Sequence, residues 1–505
     1  MPKKYNPYNK TFFSWFKDRS YLHFDKPLTK PVLRREKDGH QLQKGVLKKN
    51  KGVLKKNKSI LKKIFNSYID ADISTNQNNY SKKVAKHQFL PFIQCQTKVR
   101  KTYSLPENKS VICHKEKIRY IAYASHLDSF IYSYYADLLN KKYEEFLKNK
   151  KLSENVLAFR KVKIAGSTGG KSNINFAKEA FDVIKSFKNC SCLCFDIKGF
   201  FDNLNHTLLK QAWQKLLGGE KLPDDHYAIF KSITRYSYVK LDDALSNLNI
   251  SKTMFRKKKR KVEGKYTDSR LLSLCSNMAE FREKIVKNNA IRVNYHKGIP
   301  QGSPISGIVS NLYMIDFDLA CKNFLDEKNA RYFRYCDDIL IIAPKDNLEL
   351  VENIANFVKE KIWELKLEIQ DSKTEKLIFN TCADGTLKIQ SVDNSGKGYL
   401  QYLGFIFDGQ KTLIRPSSIS RYYKKLRKSR RLAEKSQLKN KSTILFRKKL
   451  YERYSHLGKE NFISYTYRAS EIMDETRIKK QVRRHFKYIS NKTDIEKINI
   501  IKTND

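Results

Sequence analysis

The sequence predicts an α+β fold, and three observations support that prediction. Strand-like and helix-like segments alternate irregularly along the 505 residues, as in proteins that combine a sheet with separate helices. Two apolar strand-like segments, 190–196 and 338–344, each carry an aspartate at one end. A helical pattern after residue 415 is strongly basic and has one acid, Glu434, between residues 421 and 449. We therefore expect a core containing an antiparallel sheet and helices, with a basic helical appendage.

Residues 1–86 are predicted to be a basic N-terminal extension. They contain a seven-residue repeat, KGVLKKN-KGVLKKN-KSILKKI, at 44–64. Its apolar pairs recur at a helical spacing, but each of its glycines, Gly45 and Gly52, weakens a helix by roughly 1 kcal/mol. A solvated tail and a phosphate-binding arm remain equally compatible with this pattern.

The rest of the chain is predicted in the order in which its patterns occur. Residues 87–190 have mixed strand patterns and then an amphipathic helix, followed by a strand near 155–165, a Gly/Ser-rich turn and another helix. Residues 191–405 begin with a buried strand and include a more polar, basic insertion at 219–290. Residues 406–505 are predicted to be basic and mainly helical. The alternating cysteines of CSCLC, at 190–194, are predicted to pack in the core because no second Cys or His cluster with zinc spacing accompanies them.

The charge of the chain indicates a polyanionic partner. Lys and Arg number 101 against 52 Asp and Glu, for a net charge of +49, and such a surplus is self-repelling unless a polyanion screens it. Nucleic acid is the leading partner and an anionic membrane surface the competitor. The sequence has no apolar run near the roughly 20 residues that span a bilayer, and no signal-peptide pattern. With nine cysteines, an odd number, we expect a soluble, cytoplasmic protein that does not bind a membrane.

Adjacent acids at a strand end are the strongest chemical signal. In FRYCDDILIIAP, at 333–344, Asp337 and Asp338 lie between two strand-like segments, and Asp196 ends another strand. A surface turn would explain the pair alone, since Asp is common in turns. Three carboxylates at neighbouring strand ends repel one another unless cations neutralise them, and oxygen-only ligands suit Mg²⁺. Two such ions, with Mn²⁺ as a substitute, clamp the oxygens of an in-line phosphoryl displacement.

Five motifs in order resemble motifs A to E of reverse transcriptases. They are FDIKGFFD (195–202), GIPQGSPISGIVSN (298–311), YCDD (335–338), LEIQDSKTE (367–375) and YLGF (402–405). Each motif alone is weak, but five in the right order are a strong signal. The resemblance covers roughly residues 87–430. The fingers features and the long insertion between motifs A and B are similar to those of bacterial abortive-infection and defence-associated reverse transcriptases, which are related to retron and group II intron enzymes.

The resemblance implies roles for the residues of motifs A and C. Asp196, Asp337 and Asp338 would be the catalytic, metal-binding set, with Asp338 supporting the metals near the primer end. Phe201 would be the steric gate that collides with a 2′-hydroxyl and so selects dNTPs. An RNA-dependent RNA polymerase typically carries Asp at that place and G-D-D in motif C, so DNA synthesis is the better interpretation.

The other motifs supply the implied substrate-binding residues. Pro300, Gln301 and Gly302 would line the nucleotide and template site, and Ser303 with Pro304 is typical of a helix start. Lys373 would lie near the pyrophosphate. Arg119 and Arg160 would reach the triphosphate from the fingers, although each is equally compatible with a backbone-contact or solvated role.

The resemblance implies a right-hand polymerase. Its fingers would be 87–190, its palm 191–405 with the insertion 219–290, and its basic helical thumb with the C-terminal tail 406–505. The implied reaction is RNA-directed DNA synthesis in antiviral defence against phage. The partners would be an RNA template, for which a dedicated non-coding RNA is one candidate, the cDNA product and dNTPs, and a homo-oligomer is compatible with the sequence.

Two other functions and the priming mode stay open. A group II intron-type maturase would mainly bind and fold intron RNA, and a non-catalytic RNA-binding protein would retain only the polymerase scaffold. The intact Asp196, Asp337 and Asp338 set argues against the second. An RNA end, a DNA end or a hydroxyl of the protein itself could prime synthesis, and the sequence does not choose between them.

Overall fold

The computed structural model describes residues 77–104, 112–167, 169–252, 255, 274–275, 277–344, 348–392, 398–442 and 447–490. The repeat at 44–64 and most of the basic cluster at 255–261 therefore lie outside the described residues. Over the described ranges no helix is both long and apolar enough to cross a membrane. The chain divides into two compact units built from interleaved segments: 1–153, 198–319 and 362–368 in the first, and 154–197, 320–361 and 369–505 in the second.

The first unit contains a four-stranded sheet in the order β2-β1-β4-β5. Strands β1 (Phe92–Ser104) and β2 (Ile112–Tyr123) form a long antiparallel ribbon. Strand β4 (Ser237–Lys240) lies parallel to β1 and antiparallel to the short β5 (Arg292–Val293). The insertion 219–290 thus contributes a strand to this sheet instead of forming only a polar loop.

A second contribution of the insertion is a hydrophobic core. Its buried members come from β1, β4 and the insertion's own helices, and they are Ile93, Val239, Ala244, Leu245, Leu248, Leu274, Cys275, Phe281, Ile285 and Ala290. The helices of this part are Asp224–Thr234, Leu241–Asn247 and Met278–Phe281, with a π-helical turn at Arg282–Val286. Because these side chains are apolar at helical spacing, they bury against β1.

The other helices outside the C-terminal region have the following bounds: Gln77–Ala85, His126–Asn149, Asn173–Phe187, Phe200–Asn203, His206–Leu217, Ser306–Tyr313, Ile315–Asp326 and Leu348–Glu364. The strand expected near 155–165 is not formed. That segment makes turns, with a single parallel bridge between Val156 and Arg334. Asn155 and Leu157 hydrogen-bond to Arg334 on the outer edge of the neighbouring strand, and an antiparallel bridge joins Lys163 to Gly170, but neither contact extends into a strand.

The second unit is built on a five-stranded sheet in the order β6-β7-β3-β8-β9. Its strands are β3 (Cys190–Asp196), β6 (Arg331–Tyr335), β7 (Asp338–Pro344), β8 (Glu375–Thr381) and β9 (Leu387–Ser391). Every neighbouring pair is antiparallel, as predicted. Strand β7, which lies between β6 and β3, is buried from Ile339 to Ala343, which its run of β-branched and apolar residues favours.

A three-stranded sheet and the helix Asn173–Phe187 share a core with one face of this sheet. The small sheet comprises β10 (Leu400–Tyr402), β11 (Phe405–Phe407) and β12 (Thr412–Ile414), paired antiparallel. Cys190 and Cys192 belong to this core, and all nine cysteines are free. The core-packing prediction for CSCLC is therefore confirmed.

The C-terminal region is helical, as predicted. Its helices are Pro416–Lys439, Lys448–Tyr454, Phe462–Ile472, Thr476–Lys480 and His485–Ser490. The first is long and basic, with Tyr422 and Leu426 turned into a small core that includes Leu450, Ile463, Val482 and Ile489. Most of its lysines and arginines face away from that core and are exposed or half-buried.

Candidate active site

The β6–β7 hairpin ends in a two-residue turn that carries Asp337. Tyr335 and Asp338 pair as the last residues of the ladder, so Cys336 and Asp337 form the turn itself. Cys336 adopts a φ of +63°, a conformation that a residue with a Cβ takes at a cost of roughly 1–2 kcal/mol. A positive φ at the first central residue suits the strand twist of a tight hairpin. Strain of this kind is retained where the surrounding structure determines the backbone.

Strand β3 brings Asp196 to the same place. Asp196 is directly opposite Asp338 in the antiparallel β3–β7 ladder, so their side chains leave the same face of the sheet. The amide of the next residue, Ile197, donates to the carbonyl of Asp337 at 3.3 Å, and the amide of Gln370 donates to the carbonyl of Asp196 at 2.8 Å. The structure therefore groups Asp196, Asp337 and Asp338 at one end of the sheet.

Two of the carboxyl groups at this end, those of Asp337 and Asp338, have raised pKa values. Desolvation raises the pKa of Asp338 to about 7, and the negative charges of Asp337 and Asp196 add to the rise. The pKa of Asp337 is also raised, again mainly by desolvation and further by Asp196. The raised pKa values mean that the ionised forms of these carboxyl groups lack enough compensating positive charge. A bound cation would supply that positive charge.

Two basic side chains partly offset this charge. The Lys373 ammonium donates to the Asp196 carboxylate, from a 3₁₀ turn at Asp371–Lys373. Arg415, which precedes the first helix of the C-terminal region, lowers the pKa of Asp338 together with Lys373. The Arg415 backbone is held by the carbonyl of Gly404, which accepts from the Arg415 amide at 3.1 Å.

The donor set fits Mg²⁺ by its chemistry, but its side chains are not arranged as a finished coordination cage. Oxygen-only carboxylates with raised pKa values are the ligands that a hard divalent cation neutralises. Across the described ranges, however, no group of three His, Cys, Asp or Glu side chains is set out to hold a metal ion. Lys373 supplies positive charge at Oδ2 of Asp196, so a metal ion at that oxygen would replace the Lys373 contact. The roles of the three aspartates remain predictions.

In the first unit, the motif B loop is hydrogen-bonded to the helix that carries Phe201. The amide of Ile299 donates to the carbonyl of Phe201 at 2.9 Å, and the amide of Gly298 donates to that of Leu204 at 2.8 Å. Gly298 has a φ of +83°, and a Cβ there would lie 2.6 Å from the carbonyl oxygen of Asp202. The close approach of two backbones explains why glycine occupies this position.

The next part of the loop contacts strand β2. The carbonyl of Gln301 accepts a hydrogen bond from the Ala122 amide at 2.7 Å. Gly302 has a φ of +108°, and a Cβ there would lie 2.8 Å from Ile121 Cγ2 and 3.0 Å from the Ala122 carbonyl oxygen. Pro300 accepts from the Ser306 hydroxyl at 2.6 Å. These contacts place the predicted residues Pro300, Gln301 and Gly302 in a loop with a defined backbone.

The predicted helix start at Ser303 and Pro304 is wrong. The helix begins at Ser306, and the residue before it is Ile305. Residues 301–302 and 304–305 form turns instead, because the Ser306 hydroxyl bonds back to Pro300 and its amide donates to the Ser303 carbonyl at 3.2 Å. Ser303 is buried, and its hydroxyl has no hydrogen-bond partner among the described residues.

The two predicted phosphate-binding arginines differ in their surroundings. Arg119 is exposed on β2, opposite Thr97 in the ribbon. Arg160 is half-buried, and its guanidinium donates to the main-chain carbonyl of Val156. The contact of Arg160 fits the structural alternative raised from the sequence, and the triphosphate role of both residues stays a prediction.

Sequence reasoning missed three residues that bond to the turn or interact electrostatically with Asp338. They are Arg334, which is fully buried, Arg415, and Tyr402, whose buried hydroxyl has no partner among the described residues and whose pKa is raised, first by burial and then by Asp338. A signal for Arg334 was present in RYFRYCDD. Arg334 has the same parity as Tyr332, so its charge lies on a strand face that also carries an aromatic ring.

Comparison with known protein families identifies one that the sequence matches. The sequence matches the family described as reverse transcriptase (RNA-dependent DNA polymerase) over residues 107–407, more than half of the chain. That match contains motifs A, B, C and D and reaches the end of motif E. No curated protein gives a sequence match.

Solved structures with a similar backbone include telomerases of Candida. Apo telomerase from Candida tropicalis gives a TM-score of 0.38 at 13% identity, covering 85% of this chain and 65% of that one. A version truncated from the C-terminal domain gives 0.36 at 12% identity, covering 66% and 57%. Telomerase from Candida albicans with a TWJ fragment of telomeric RNA gives 0.35 at 12%, covering 88% and 66%. The chain thus spans less than two thirds of the length of these telomerases. On the match over 107–407, this α+β chain belongs to the reverse transcriptase family of RNA-dependent DNA polymerases.

Proposed function

We propose that this protein synthesises DNA on an RNA template. A primer 3′-hydroxyl attacks the α-phosphate of a dNTP, a new phosphodiester bond forms, and the bond to pyrophosphate breaks. The observation that carries the proposal is the pairing of Asp196 with Asp338 beside the turn that bears Asp337. Family membership over 107–407 supports the same reaction.

Asp196, Asp337 and Asp338 would hold two Mg²⁺ ions, with Mn²⁺ as a substitute. When bound, the ions lower the charge barrier to nucleophilic attack and to departure of pyrophosphate. The protein's own contribution is to hold three carboxylates at adjoining strand ends, where desolvation favours cation binding over an uncompensated negative charge. Lys373 would leave Asp196 for the leaving pyrophosphate, whose negative charge is the stronger partner.

Phe201 supports a deoxynucleotide substrate. Its carbonyl accepts from the Ile299 amide at 2.9 Å, so the short helix that carries the ring is bonded to the motif B loop. Because the segment resembles motif A, we assign the Phe201 ring to the space beside the 2′ position of the incoming sugar. Pro300, Gln301 and Gly302 would line the nucleotide and template site, and Arg119 and Arg160 would bind the triphosphate.

The basic helix Pro416–Lys439 supports a nucleic-acid duplex as the larger substrate. It carries lysines and arginines along its length and one acid, Glu434, which is paired with Arg430 at 2.9 Å. Neutralising successive phosphates releases condensed counterions, so duplex binding should weaken as salt increases.

Incorporation of labelled dTTP on poly(rA) primed with oligo(dT), with Mg²⁺, tests the proposal. Wild type should extend the primer, and Asp337→Asn should lose at least about a hundredfold, the scale of losing a charge that acts on the transition state. Asp384→Asn is a matched control, since Asp384 is a surface turn residue bonded to Thr386. Equal incorporation by wild type and Asp337→Asn would refute the catalytic claim.

The biological role that we propose is antiviral defence with a dedicated non-coding RNA as template. It rests on the resemblance of the fingers segments and of the insertion 219–290 to defence-associated enzymes. Sequencing the RNA that co-purifies with the protein should yield one dominant species. Phage plating on cells that express wild type should be reduced relative to cells that express Asp337→Asn. Equal plating, or a random RNA population, would refute the defence role without touching the polymerase reaction.

A further inference from the structure

Arg334 is the one arginine among the fully buried side chains of the described residues. Its exposed fraction is 0%, and it lies on β6 three residues before Asp337. An arginine keeps its charge at any physiological pH, so burying it is unfavourable unless its hydrogen bonds are well satisfied. A buried arginine beside catalytic acids therefore needs a physical reason.

The guanidinium reaches forward to the turn. Arg334 Nη1 donates to the main-chain carbonyl of Cys336 at 3.2 Å. Cys336 is the residue with the strained, positive φ, and its carbonyl lies in the peptide that leads into Asp337. A charged donor makes a stronger hydrogen bond than a neutral one, so this contact stabilises the strained turn. The same charge opposes the rise in the pKa of Cys336 that burial causes.

The backbone of Arg334 is hydrogen-bonded on both edges of strand β6. On one edge, Arg334 pairs with Ile339 of β7. On the other, its amide donates to the Asn155 carbonyl at 2.7 Å and its carbonyl accepts from the Leu157 amide at 2.9 Å. Because the anchor does not move with the turn, the guanidinium can set where the turn lies.

A second contact holds the turn from the opposite side. The carbonyl of Asp337 accepts from the Ile197 amide, next to Asp196. The two carbonyls of the turn are therefore held separately, one by Arg334 and one by the strand that ends in the third carboxylate. Removing Arg334 would remove the hydrogen bond to the Cys336 carbonyl and leave the one from the Ile197 amide to the Asp337 carbonyl.

We propose that Arg334 is a positioning residue that locks the Cys336–Asp337 turn and so sets the placement of the paired aspartates. The catalytic part of this inference rests on the proposed polymerase function, and its structural part does not. A displacement of about 1 Å at reacting groups can lower a rate about a hundredfold, so losing the lock should act on kcat. Substrate affinity should change little, because Arg334 is fully buried and its guanidinium donates to the main chain of the turn.

Alkylation of native cysteines tests the structural part directly. Cys336 is buried at the turn, while Cys192 and Cys321 are buried elsewhere in the second unit and act as internal controls. Full-length wild type, Arg334→Met and Arg334→Lys are treated with iodoacetamide, and the labelled peptides are followed by mass spectrometry. In Arg334→Met, Cys336 should react several-fold faster while Cys192 and Cys321 stay protected. Arg334→Lys should fall between, since it keeps the charge and loses the planar fork.

A matched variant separates the lock from ordinary core damage. The matched variant is Ile341→Ala. Ile341 lies on the same face of the sheet as Arg334, is equally buried, and pairs with Tyr332 away from the turn. The variant should lower the thermal midpoint without selective labelling of Cys336. Unchanged protection of Cys336 in Arg334→Met would overturn the proposal, as would equal acceleration of all three cysteines in both Arg334 variants.

Steady-state kinetics on poly(rA)/oligo(dT) tests the catalytic part. Arg334→Met should lose about ten- to hundredfold in kcat with the KM for dTTP little changed. A normal kcat with exposed Cys336 would overturn the catalytic part. If wild type itself incorporates nothing, the polymerase proposal fails, while selective exposure of Cys336 still supports the lock.

Discussion

Asp196 and Asp338 face each other across the β3–β7 ladder, and no residue intervenes between them along the hydrogen-bonding direction. Like charges directly opposite in a sheet are destabilising. The chain keeps them there and adds Asp337 in the adjoining turn. This part of the protein is therefore less stable than its hydrophobic surroundings would allow, and that is typical of a site that receives its missing charge from a bound cation.

The first prediction concerns stability and pH. The pKa of Asp338 is raised in the folded protein to about 7, so the folded state holds this proton more tightly than the unfolded chain does. The resulting stabilisation is present at low pH and is lost as pH rises through about 7. Without divalent cations, thermal midpoints should show wild type losing stability relative to Asp338→Asn between pH 4 and about 7.5. Adding Mg²⁺ at the upper pH should restore wild type and not the variant. Parallel pH curves for the two proteins would contradict this.

Sugar selection should depend on Phe201. Replacing it with alanine removes the ring that we assign to the 2′ position, so the preference for dTTP over UTP should fall by about 10- to 200-fold, the range over which a pocket discriminates by fit. Phe200→Leu is the control, since Phe200 is buried next to Phe201. Competition kinetics with both nucleotides measures the ratio. An unaltered ratio in Phe201→Ala would remove the gate assignment.

Gly298 should not tolerate a side chain. A Cβ there would lie 2.6 Å from the carbonyl oxygen of Asp202 and 2.8 Å from its carbonyl carbon, and the φ of +83° adds strain. Gly298→Ala should lower the free energy of unfolding by more than about 2 kcal/mol or displace the helix that carries Phe201.

Gly385→Ala is a matched control for the backbone strain alone. Gly385 has a φ of +77° and no atom within 4 Å of an added Cβ, so it should lose only about 1 kcal/mol. Urea unfolding measures both variants. Equal losses would mean that the close approach to Asp202 has no energetic weight.

The last prediction concerns the C-terminal helical region. His485 is buried, its Nδ1 contacts the Val482 carbonyl at 2.7 Å, and its Nε2 lies 3.3 Å from His456 Nδ1. Desolvation lowers the pKa of His485, so the unfolded chain binds the proton more tightly, and stability from this group is lost as pH falls below about 6.5. Thermal midpoints should fall more steeply for wild type than for His485→Gln between pH 7 and 5. A steeper fall in the variant would contradict the assignment.

The local elements were largely predictable because their patterns are local. The β-branched run after Asp338 predicts a strand, and the basic periodic segment after residue 415 predicts a helix, and both are present. The contribution of the insertion 219–290 was not predictable in the same way. Its strand β4 pairs parallel to β1, and parallel pairing joins segments that no local pattern connects.

Errors occurred where several weak local preferences compete. Ser303 and Pro304 have the residue types of a helix start, yet the helix begins at Ser306, because a hydrogen bond from its hydroxyl to Pro300 stabilises turns before it. The segment near 155–165 alternates like a strand but makes turns, with isolated bridges at Val156 and Lys163. In both cases the local residue preferences favoured one secondary structure, and contacts with other residues produced another.

The sequence by itself determined the chemical inventory: three acids at strand ends, the five motifs in order, and the surplus of positive charge. Tertiary structure alone decided that Asp196 is opposite Asp338, that Cys336 takes a positive φ, and that Arg334 is buried against its carbonyl. The physical reason is that register and burial arise from contacts between segments far apart in the chain. A strand that shifts by one residue turns all of its side chains to the other face, so only the folded sheet determines which acids meet.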